Sequence, residues 1–197
     1  MYQHTQCLGA ECPSCSPFAL APSEGNWMQK RETTWCDSMG NVPRSYPKRL
    51  GVGTTIILMI GTMENRLVLC QRRRDNGWWG FPGGSQNIGE SILMCAEREM
   101  KEETGLEVKL LGVISVDSDP TQYALCSYPD GVVQYTNITF LARLGDIYQG
   151  VPPVTPCEES LELRWVPLRR LPEPFLLNHQ WRLEKAMAHR GAFIPVR

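Results

Sequence analysis

The chain has 197 residues and an ordinary globular composition, in which 42% of the residues are hydrophobic. Its 20 basic and 21 acidic residues leave a formal net charge of −1, so the chain as a whole has no general electrostatic affinity for nucleic acid or an anionic membrane. The length predicts one domain with an extension, or at most two small domains. This composition excludes a disordered, collagen-like or coiled-coil chain.

No stretch predicts a membrane-spanning helix, because the longest apolar run, residues 56–60, is far shorter than the roughly 20 residues required. The first residues lack the basic segment of a signal peptide and lead directly into Cys and Pro. We therefore expect a cytoplasmic protein without a membrane partner. The isolated cysteines of the remaining chain are expected to be small apolar core residues.

Residues 1–48 predict an irregular extension, because they are rich in Pro and Cys and show no lasting helical or strand period. The pair Cys12 and Cys15 has a spacing that suits tetrahedral Zn²⁺, and Cys7 with Cys36, or His4 with Cys7, would complete four ligands. A second Cys-x-x-Cys pair is absent from this stretch of sequence. A partly ordered tail with free thiols, or a disulfide, is therefore the alternative to a structural zinc site.

Regular patterning begins at residue 49, and we assign residues 49–197 to one domain. Strand-like segments are expected at Gly51–Ile60, Arg66–Gln71, Glu107–Val116, Val132–Leu144 and Leu161–Val166. A loop rich in Gly and aromatic residues is expected at Gly77–Gly89. Helices are expected at Ser91–Thr104, which Gly105 terminates, and at Asn178–Ala188. Strands mixed with two helices indicate an α/β or α+β layered domain.

The first predicted helix carries three glutamates on the face where its apolar stripe would continue. The stripe through Cys95 and Ala96 leads into Glu99, Glu102 and Glu103. A Glu-rich helix end is commonly a solvated charged face, but here the charges follow the apolar stripe. The helix dipole opposes anions near the C-terminus, so a cation should compensate. Donors that are all oxygen suit a hard divalent ion such as Mg²⁺ or Mn²⁺.

Two features beside this helix favour chemistry on phosphate. The backbone at Gly83 and Gly84 permits a close approach of carbonyl groups to metal and of N–H groups to phosphate. Arg98 can orient a glutamate by paired hydrogen bonds, and Glu90 is the expected partner. With the carboxylates, these residues predict metal-assisted displacement at phosphorus.

The same residues form a motif that resembles the Nudix box, Gly-x5-Glu-x7-Arg-Glu-U-x-Glu-Glu-x-Gly-U, where U is aliphatic. Its nine defined positions are filled by Gly84, Glu90, Arg98, Glu99, Met100, Glu102, Glu103, Gly105 and Leu106. A chance match in this chain is on the order of 10⁻⁷ or less. The flanking segments Trp79–Gly84 and Glu159–Leu168 are also similar to the family, and the resemblance covers roughly Arg49–Arg190.

The resemblance implies an α/β/α sandwich around a mixed β-sheet. It also implies hydrolysis of a nucleoside diphosphate linked to another group, with Mg²⁺ or Mn²⁺ as cofactor. Carried over position by position, the expected metal ligands are Glu99, Glu102, Glu103 and the carbonyl of Gly83. Of these, Glu102 and Glu103 are also expected to be catalytic.

A further glutamate beyond the box often serves as base or extra ligand in this family. The candidates are Glu158, Glu159 and Glu162, and we favour Glu159 as the third catalytic residue. Its position varies within the family, so the resemblance leaves the choice open.

The expected partner is a small-molecule nucleotide. Arg73 and Gly84 are candidate phosphate contacts, whereas Trp79 and Tyr123 are candidates for stacking a base. For each aromatic residue, packing in the core is the alternative. The run Tyr128–Gly131 resembles Nudix proteins that act on ADP-ribose or sugar nucleotides, which favours that substrate class.

Other functions stay open at this point. Pro120 lies fourteen residues beyond the box, near a position typical of ADP-ribose hydrolases, whereas Tyr123 lies seventeen residues beyond it, as in dinucleoside polyphosphate hydrolases. A nucleoside triphosphate is a further alternative substrate. A non-catalytic nucleotide sensor is opposed by the complete set of box glutamates, and nucleic acid is not the expected substrate. A homodimer is compatible with the sequence.

Overall fold

A computed structural model describes residues 36–43, 45–62 and 64–188. Cys7, Cys12 and Cys15 lie outside the described residues, so a zinc site built on them stays a prediction. The strands are β1 Arg49–Ile60, β2 Leu67–Arg73, β3 Trp79–Gly80, β4 Val108–Asp117, β5 Leu125–Tyr128, β6 Gly131–Leu144 and β7 Ser160–Pro167. The helices are α1 Ile92–Thr104 and α2 Leu177–Ala188, with a short 3₁₀ turn at Pro120–Gln122.

The described strands form a mixed sheet in the order β3-β2-β1-β6-β4, in which β5 also pairs with β6 and β7 with β2. The long strand β1 pairs in parallel with β6 through residues 49–58 and then antiparallel with β2 through residues 59–60. This one strand therefore joins the two halves of the sheet. The predicted mixed sheet is confirmed.

Successive residues of β1 point to opposite faces of the sheet, and each face carries its own buried cluster. Ile56 and Leu58 pack with Ala96 and Met100 of α1, whereas Ile57 packs in a second cluster that contains Leu183 of α2. A helix thus covers each face. This arrangement confirms the α/β class and the expected sandwich of helix, sheet and helix.

Helix α1 is capped by Ser91 at its start and by Gly105 at its end. Ser91 Oγ accepts a hydrogen bond from the N–H of Met94 at 3.2 Å, as a side chain does at an N-cap. Gly105 adopts a left-handed conformation with φ 73° and donates its N–H to the carbonyl of Lys101, as is usual after the last turn. The predicted bounds of this helix are confirmed.

Two strands were not expected from the sequence. Strand β3 is two residues long and lies inside the predicted Gly-rich loop, and β5 is four residues long. Segments this short carry no readable period, so only their pairing with β2 and β6 makes them strands. Of the residues described, no helix is both long and apolar enough to cross a bilayer.

The described end of the predicted extension packs against the domain. Asp37 is 3% exposed and forms a β-bridge with Leu125. The N–H of Leu177, the first residue of α2, donates to the carbonyl of Ser38 at 3.0 Å. Residues 37–38 therefore connect β5 with the start of α2.

Candidate active site

The loop at Gly83 and Gly84 lies tightly between β1 and α1. Gly83 has φ 145°, and a Cβ there would lie 2.3 Å from the carbonyl oxygen of Thr54. A Cβ on Gly84 would lie 2.4 Å from the carboxylate of Glu99, and the Gly84 carbonyl accepts a hydrogen bond from the N–H of Thr54 at 2.8 Å. The two glycines therefore allow a contact between loop and helix that no larger residue permits.

Arg98 is the centre of an ion-pair network. It donates to both carboxylate oxygens of Glu90, at 3.0 and 2.7 Å, and to the carbonyl of Ser85 at 3.1 Å, which confirms the expected pairing with Glu90. The hydrogen bonds from Arg98 lower the pKa of Glu90 to about 2. Arg98 Nη1 also lies 2.9 Å from Glu99 and 2.9 Å from Glu102, so it draws these two carboxylates together.

Glu103 is held by two hydrogen bonds inside the protein. Its side chain is buried, Oε1 accepts from Gln71 Nε2 at 2.9 Å, and Oε2 accepts from the N–H of Gly83 at 2.8 Å. Burial raises the pKa of this carboxyl to about 7, although both hydrogen bonds oppose that shift. Burial likewise raises the pKa of Glu99.

A cleft of about 330 Å³, here called the carboxylate cleft, lies beside Glu103. It is lined by Gln71, Arg73, Arg74, Asp75, Glu103, Glu158 and Glu159. Both Glu158 and Glu159 thus reach this cleft, and the charge of Glu159 also acts on Glu99. Glu162 instead forms an ion pair with Arg164 and does not line the cleft, so the structure separates it from the other two candidates.

The donor set fits a hard divalent ion in its chemistry but not in its present arrangement. Within the part of the chain that the structure describes, no three His, Cys, Asp or Glu side chains converge as a metal-binding group. Glu99 and Glu102 point to Arg98, and Glu103 points to Gln71. All three side chains supply only carboxylate oxygens, the ligands that Mg²⁺ and Mn²⁺ prefer.

A second recess, here called the inner cavity, measures about 100 Å³ and lies between β1, β6 and the start of α2. Arg73 lines both this cavity and the carboxylate cleft. Tyr123 and Gly84 also line it, and Tyr123 adopts a left-handed conformation with φ 63°. The structure thus brings together three of the four expected substrate contacts.

Trp79 is the fourth expected contact, and its position corrects that expectation. Its side chain is only 4% exposed and packs in the cluster around Phe175 and Leu183. The guanidinium of Arg164 lies 5.1 Å from the ring centroid. Because the ring is buried among apolar residues and covered by Arg164, it has no open face for a base, and core packing accounts for it.

Sequence reasoning did not find Gln71, Asn178 or Arg182. Gln71 donates to Glu103 and to Ser160 Oγ at 2.8 Å, and Arg182 forms a buried ion pair with Asp117 at 2.9 Å. Each belongs to an ordinary strand or helix pattern, so only the fold reveals its partner. Cys36, the one described member of the predicted zinc set, has a thiol whose pKa is raised by burial.

The fold and this site define the chain as a Nudix domain. Residues 49–189 match the family model of the NUDIX domain, and the chain belongs to that family. This confirms the family inferred from the box at Gly84–Leu106.

Relatives within the family carry names for several nucleotide substrates. The chain is 28% identical over 144 residues to the 8-oxo-dGDP phosphatase of Homo sapiens, covering 71% of this chain and 40% of that protein. It is 36% identical over 59 residues to the ADP-ribose pyrophosphatase of Methanocaldococcus jannaschii, covering 29% and 35% respectively. The chain therefore spans less than half the length of these curated relatives.

Solved structures show the same fold. A crystal structure of UDP-X diphosphatase superposes with a TM-score of 0.55 at 21% identity, covering 75% of this chain and 68% of that one. A MutT Nudix hydrolase from Burkholderia pseudomallei superposes with a TM-score of 0.54 at 22% identity, covering 70% and 98%. At this level of identity the likeness concerns the fold alone.

Proposed function

We propose that this chain hydrolyses the pyrophosphate bond of a nucleoside diphosphate derivative, of the ADP-ribose or sugar-nucleotide kind, in a reaction that requires Mg²⁺ or Mn²⁺. The observation that carries the proposal is the carboxylate cleft, where Glu103 and Glu159 lie with Arg73 next to the glycine loop. Carboxylates for a metal and a cation for phosphate are the two elements that hydrolysis of a diphosphate needs.

Glu99, Glu102, Glu103 and the carbonyl of Gly83 would hold the divalent ion. When bound, such an ion neutralises charge on the diphosphate and lowers the pKa of an attacking water. Gly84 leaves the space that the Glu99 carboxylate occupies. These features support the ligand set that the box implies.

Side chains of the carboxylate cleft would bind the phosphate and take the proton from water. Arg73 donates to Asp75 at 2.8 Å and lines both recesses, so its guanidinium can also contact a phosphate that passes between them. Glu159 is exposed at the cleft and is the proposed base that takes a proton from water. Glu158 lines the same cleft and is the alternative base.

Two recesses that share part of their lining, the inner cavity and an open groove, support a diphosphate derivative over a simple triphosphate. Tyr135 OH lies 3.0 Å from Ser85 Oγ and 3.3 Å from Tyr128 OH. These three residues line both the inner cavity and an open groove of about 790 Å³ that reaches Glu90. A substrate with a group at each end of its diphosphate can use both recesses.

Oxidised guanine nucleotides are a second candidate substrate class. The observation that favours them is the name of the human relative, an 8-oxo-dGDP phosphatase, which matches 71% of this chain. A substrate panel separates the two classes, because only the first class carries a second group beyond the diphosphate.

The test is hydrolysis of ADP-ribose, sugar nucleotides, dinucleoside polyphosphates, 8-oxo-dGDP and 8-oxo-dGTP in Mg²⁺ and in Mn²⁺. We expect turnover of a diphosphate derivative, and a fall of roughly 100-fold or more in Glu103→Gln. Glu97→Gln is the matched control, because Glu97 lies exposed on the same helix. Turnover of the triphosphate alone would show that the proposed substrate class is wrong. Binding of ADP-ribose without turnover would instead indicate a non-catalytic nucleotide sensor.

A further inference from the structure

The proposed base, Glu159, lies in a segment whose position depends on its main chain. Its side chain is exposed and lines the carboxylate cleft. Among the residues that the structure describes, none forms an ion pair or a hydrogen bond with its carboxylate. Because no partner holds the carboxylate, its place in the cleft is set by the backbone that carries it.

Arg74, the residue after β2, binds three consecutive carbonyls of that backbone. Its N–H donates to the carbonyl of Glu159 at 2.9 Å. Its side chain donates from Nε to the carbonyl of Glu158 at 2.6 Å and from Nη2 to the carbonyl of Ser160 at 3.1 Å. Because Nε and Nη2 form one edge of the planar guanidinium, these two bonds fix the two carbonyls relative to each other. Arg74 therefore holds the chain on both sides of Glu159.

Ser160, the residue after Glu159, is also held from the protein interior. It is buried, and its Oγ accepts a hydrogen bond from Gln71 Nε2 at 2.8 Å. The same nitrogen donates to Glu103 Oε1 at 2.9 Å, so one amide joins a proposed metal ligand to the residue beside the proposed base. Gln71 and Arg74 thus hold the same segment, Gln71 through a side chain and Arg74 through the backbone.

The pairing of β2 with β7 becomes irregular at the same place. The register shifts between Arg72 and Arg73, which leaves one residue of β7 without a partner on β2. An extra residue of this kind bends a strand and redirects the neighbouring side chains. Strand β7 begins at Ser160, so the regular pairing ends there. The bonds from Arg74 hold the residues that come just before it.

We propose that Arg74 is a positioning residue for the hydrolysis, and that it fixes the backbone at Glu159 so that this carboxylate can take a proton from water. The inference rests on the proposed function for the role of Glu159. The Nε and Nη2 edge of Arg74 is occupied by main-chain carbonyls, so the proposal assigns Arg74 to this segment and leaves the phosphate to Arg73. Loss of the Arg74 side chain should therefore lower kcat and leave KM nearly unchanged.

The first test is a double-mutant cycle, measured on the substrate that wild type hydrolyses fastest. We expect Arg74→Met to lower kcat by about 10- to 100-fold and to change KM by less than about 2-fold. In a Glu159→Gln background the same substitution should cost less than about 3-fold, because the base that Arg74 positions is already absent. Arg74→Lys keeps the charge but not the planar fork, so it should recover little of the lost kcat.

The matched control is Arg72→Met, which should leave kcat and KM unchanged. Arg72 is an exposed arginine on β2 that donates to the carbonyl of Gly77 at 3.1 Å and does not line the carboxylate cleft. Equal losses from Arg74→Met in the wild-type and Glu159→Gln backgrounds would overturn the inference. A higher KM with unchanged kcat, restored by Arg74→Lys, would assign Arg74 to phosphate and overturn it as well.

The second test is amide hydrogen exchange of the free protein, which needs no turnover. In Arg74→Met, residues 158–160 should exchange roughly 10-fold faster than in wild type while α1 keeps its rate. Arg72→Met should change neither region. Unchanged exchange at residues 158–160, or faster exchange throughout α1 as well, would overturn the inference. If wild type hydrolyses no substrate but the local exchange difference is present, the proposed function is wrong and the contact with Arg74 is not.

Discussion

The N–H of Gly83 donates to Glu103 Oε2 at 2.8 Å, which ties the glycine loop to the last turn of α1. Twenty residues separate the two in sequence. The bond fixes a proposed metal ligand against the backbone whose carbonyl is expected to share the same ion. Loop and helix are therefore one structural unit, and substitutions in the loop should change the positions of the carboxylates.

Gly83→Ala should destabilise the fold. The new Cβ would lie 2.3 Å from the Thr54 carbonyl, at a φ of 145° that side chains rarely adopt. Because backbone atoms on β1 cannot move aside, we expect the free energy of unfolding to fall by about 3 kcal/mol or more. Gly89→Ala is the control, since φ is 91° there but nothing lies within 4 Å of the new Cβ. Urea unfolding measures both, and equal losses would contradict the steric explanation.

Gly84→Ala should affect activity more than stability. The Cβ would meet the Glu99 carboxylate at 2.4 Å, and a side chain can swing away where backbone cannot. We expect the melting temperature to change little while kcat/KM falls by about 10- to 100-fold, as when a metal ligand loses its orientation. Gly89→Ala again serves as the comparison in the same loop. A variant with full activity would argue against a role for Glu99 in the site.

Asp37→Ala should lower stability although Asp37 precedes the family domain. Its Oδ1 accepts from the N–H groups of Met39 and Asn41 at 3.0 and 2.9 Å, and the residue is buried. We expect a loss of about 2 kcal/mol in the free energy of unfolding. Asp130→Ala, which removes an exposed ion pair with Arg49, should cost less than about 1 kcal/mol.

Asp37→Asn keeps an acceptor at the same place and should recover part of the Asp37→Ala loss. Chemical denaturation of the three variants gives the measurement. If Asp37→Ala were no more harmful than Asp130→Ala, residues 37–38 would not be part of the stable domain.

His179 should make the stability depend on pH. Its Nδ1 accepts from the N–H of Phe81 at 2.8 Å, and burial, aided by the charges of Arg182 and Arg73, lowers the pKa well below its usual value. The folded protein therefore excludes a proton that the unfolded chain binds below about pH 6.5. The contribution of neutral His179 to the free energy of unfolding is therefore complete above about pH 6.5. It declines as the pH falls from there towards the lowered pKa of the folded protein.

The measurement is the free energy of unfolding at several pH values between 5 and 7.5. Wild type should lose up to about 1.4 kcal/mol per pH unit relative to His179→Gln. Other titrating groups, Glu103 among them, are common to both proteins and cancel in the difference. Parallel curves would show that His179 does not titrate differently on folding.

Local signals in the sequence are sufficient to predict the box and the helix that carries it. Ser91, Gly105 and the apolar stripe are local signals, so the bounds of α1 and the shared face of Glu99 and Glu103 follow from helix geometry. The pairing of Arg98 with Glu90 also spans only eight residues. Interactions within so short a stretch of chain depend little on the rest of the fold.

Which distant residues meet depends on the tertiary fold. Glu158 and Glu159 reach the carboxylate cleft whereas Glu162 pairs with Arg164, and no local pattern separates these three glutamates. Trp79 is a core residue because the fold packs it with Phe175 and Leu183. The amide of Asn178 is oriented by Tyr123, 55 residues away. Such contacts are set by strand pairing and helix packing, because these bring together residues whose identities carry no signal of each other.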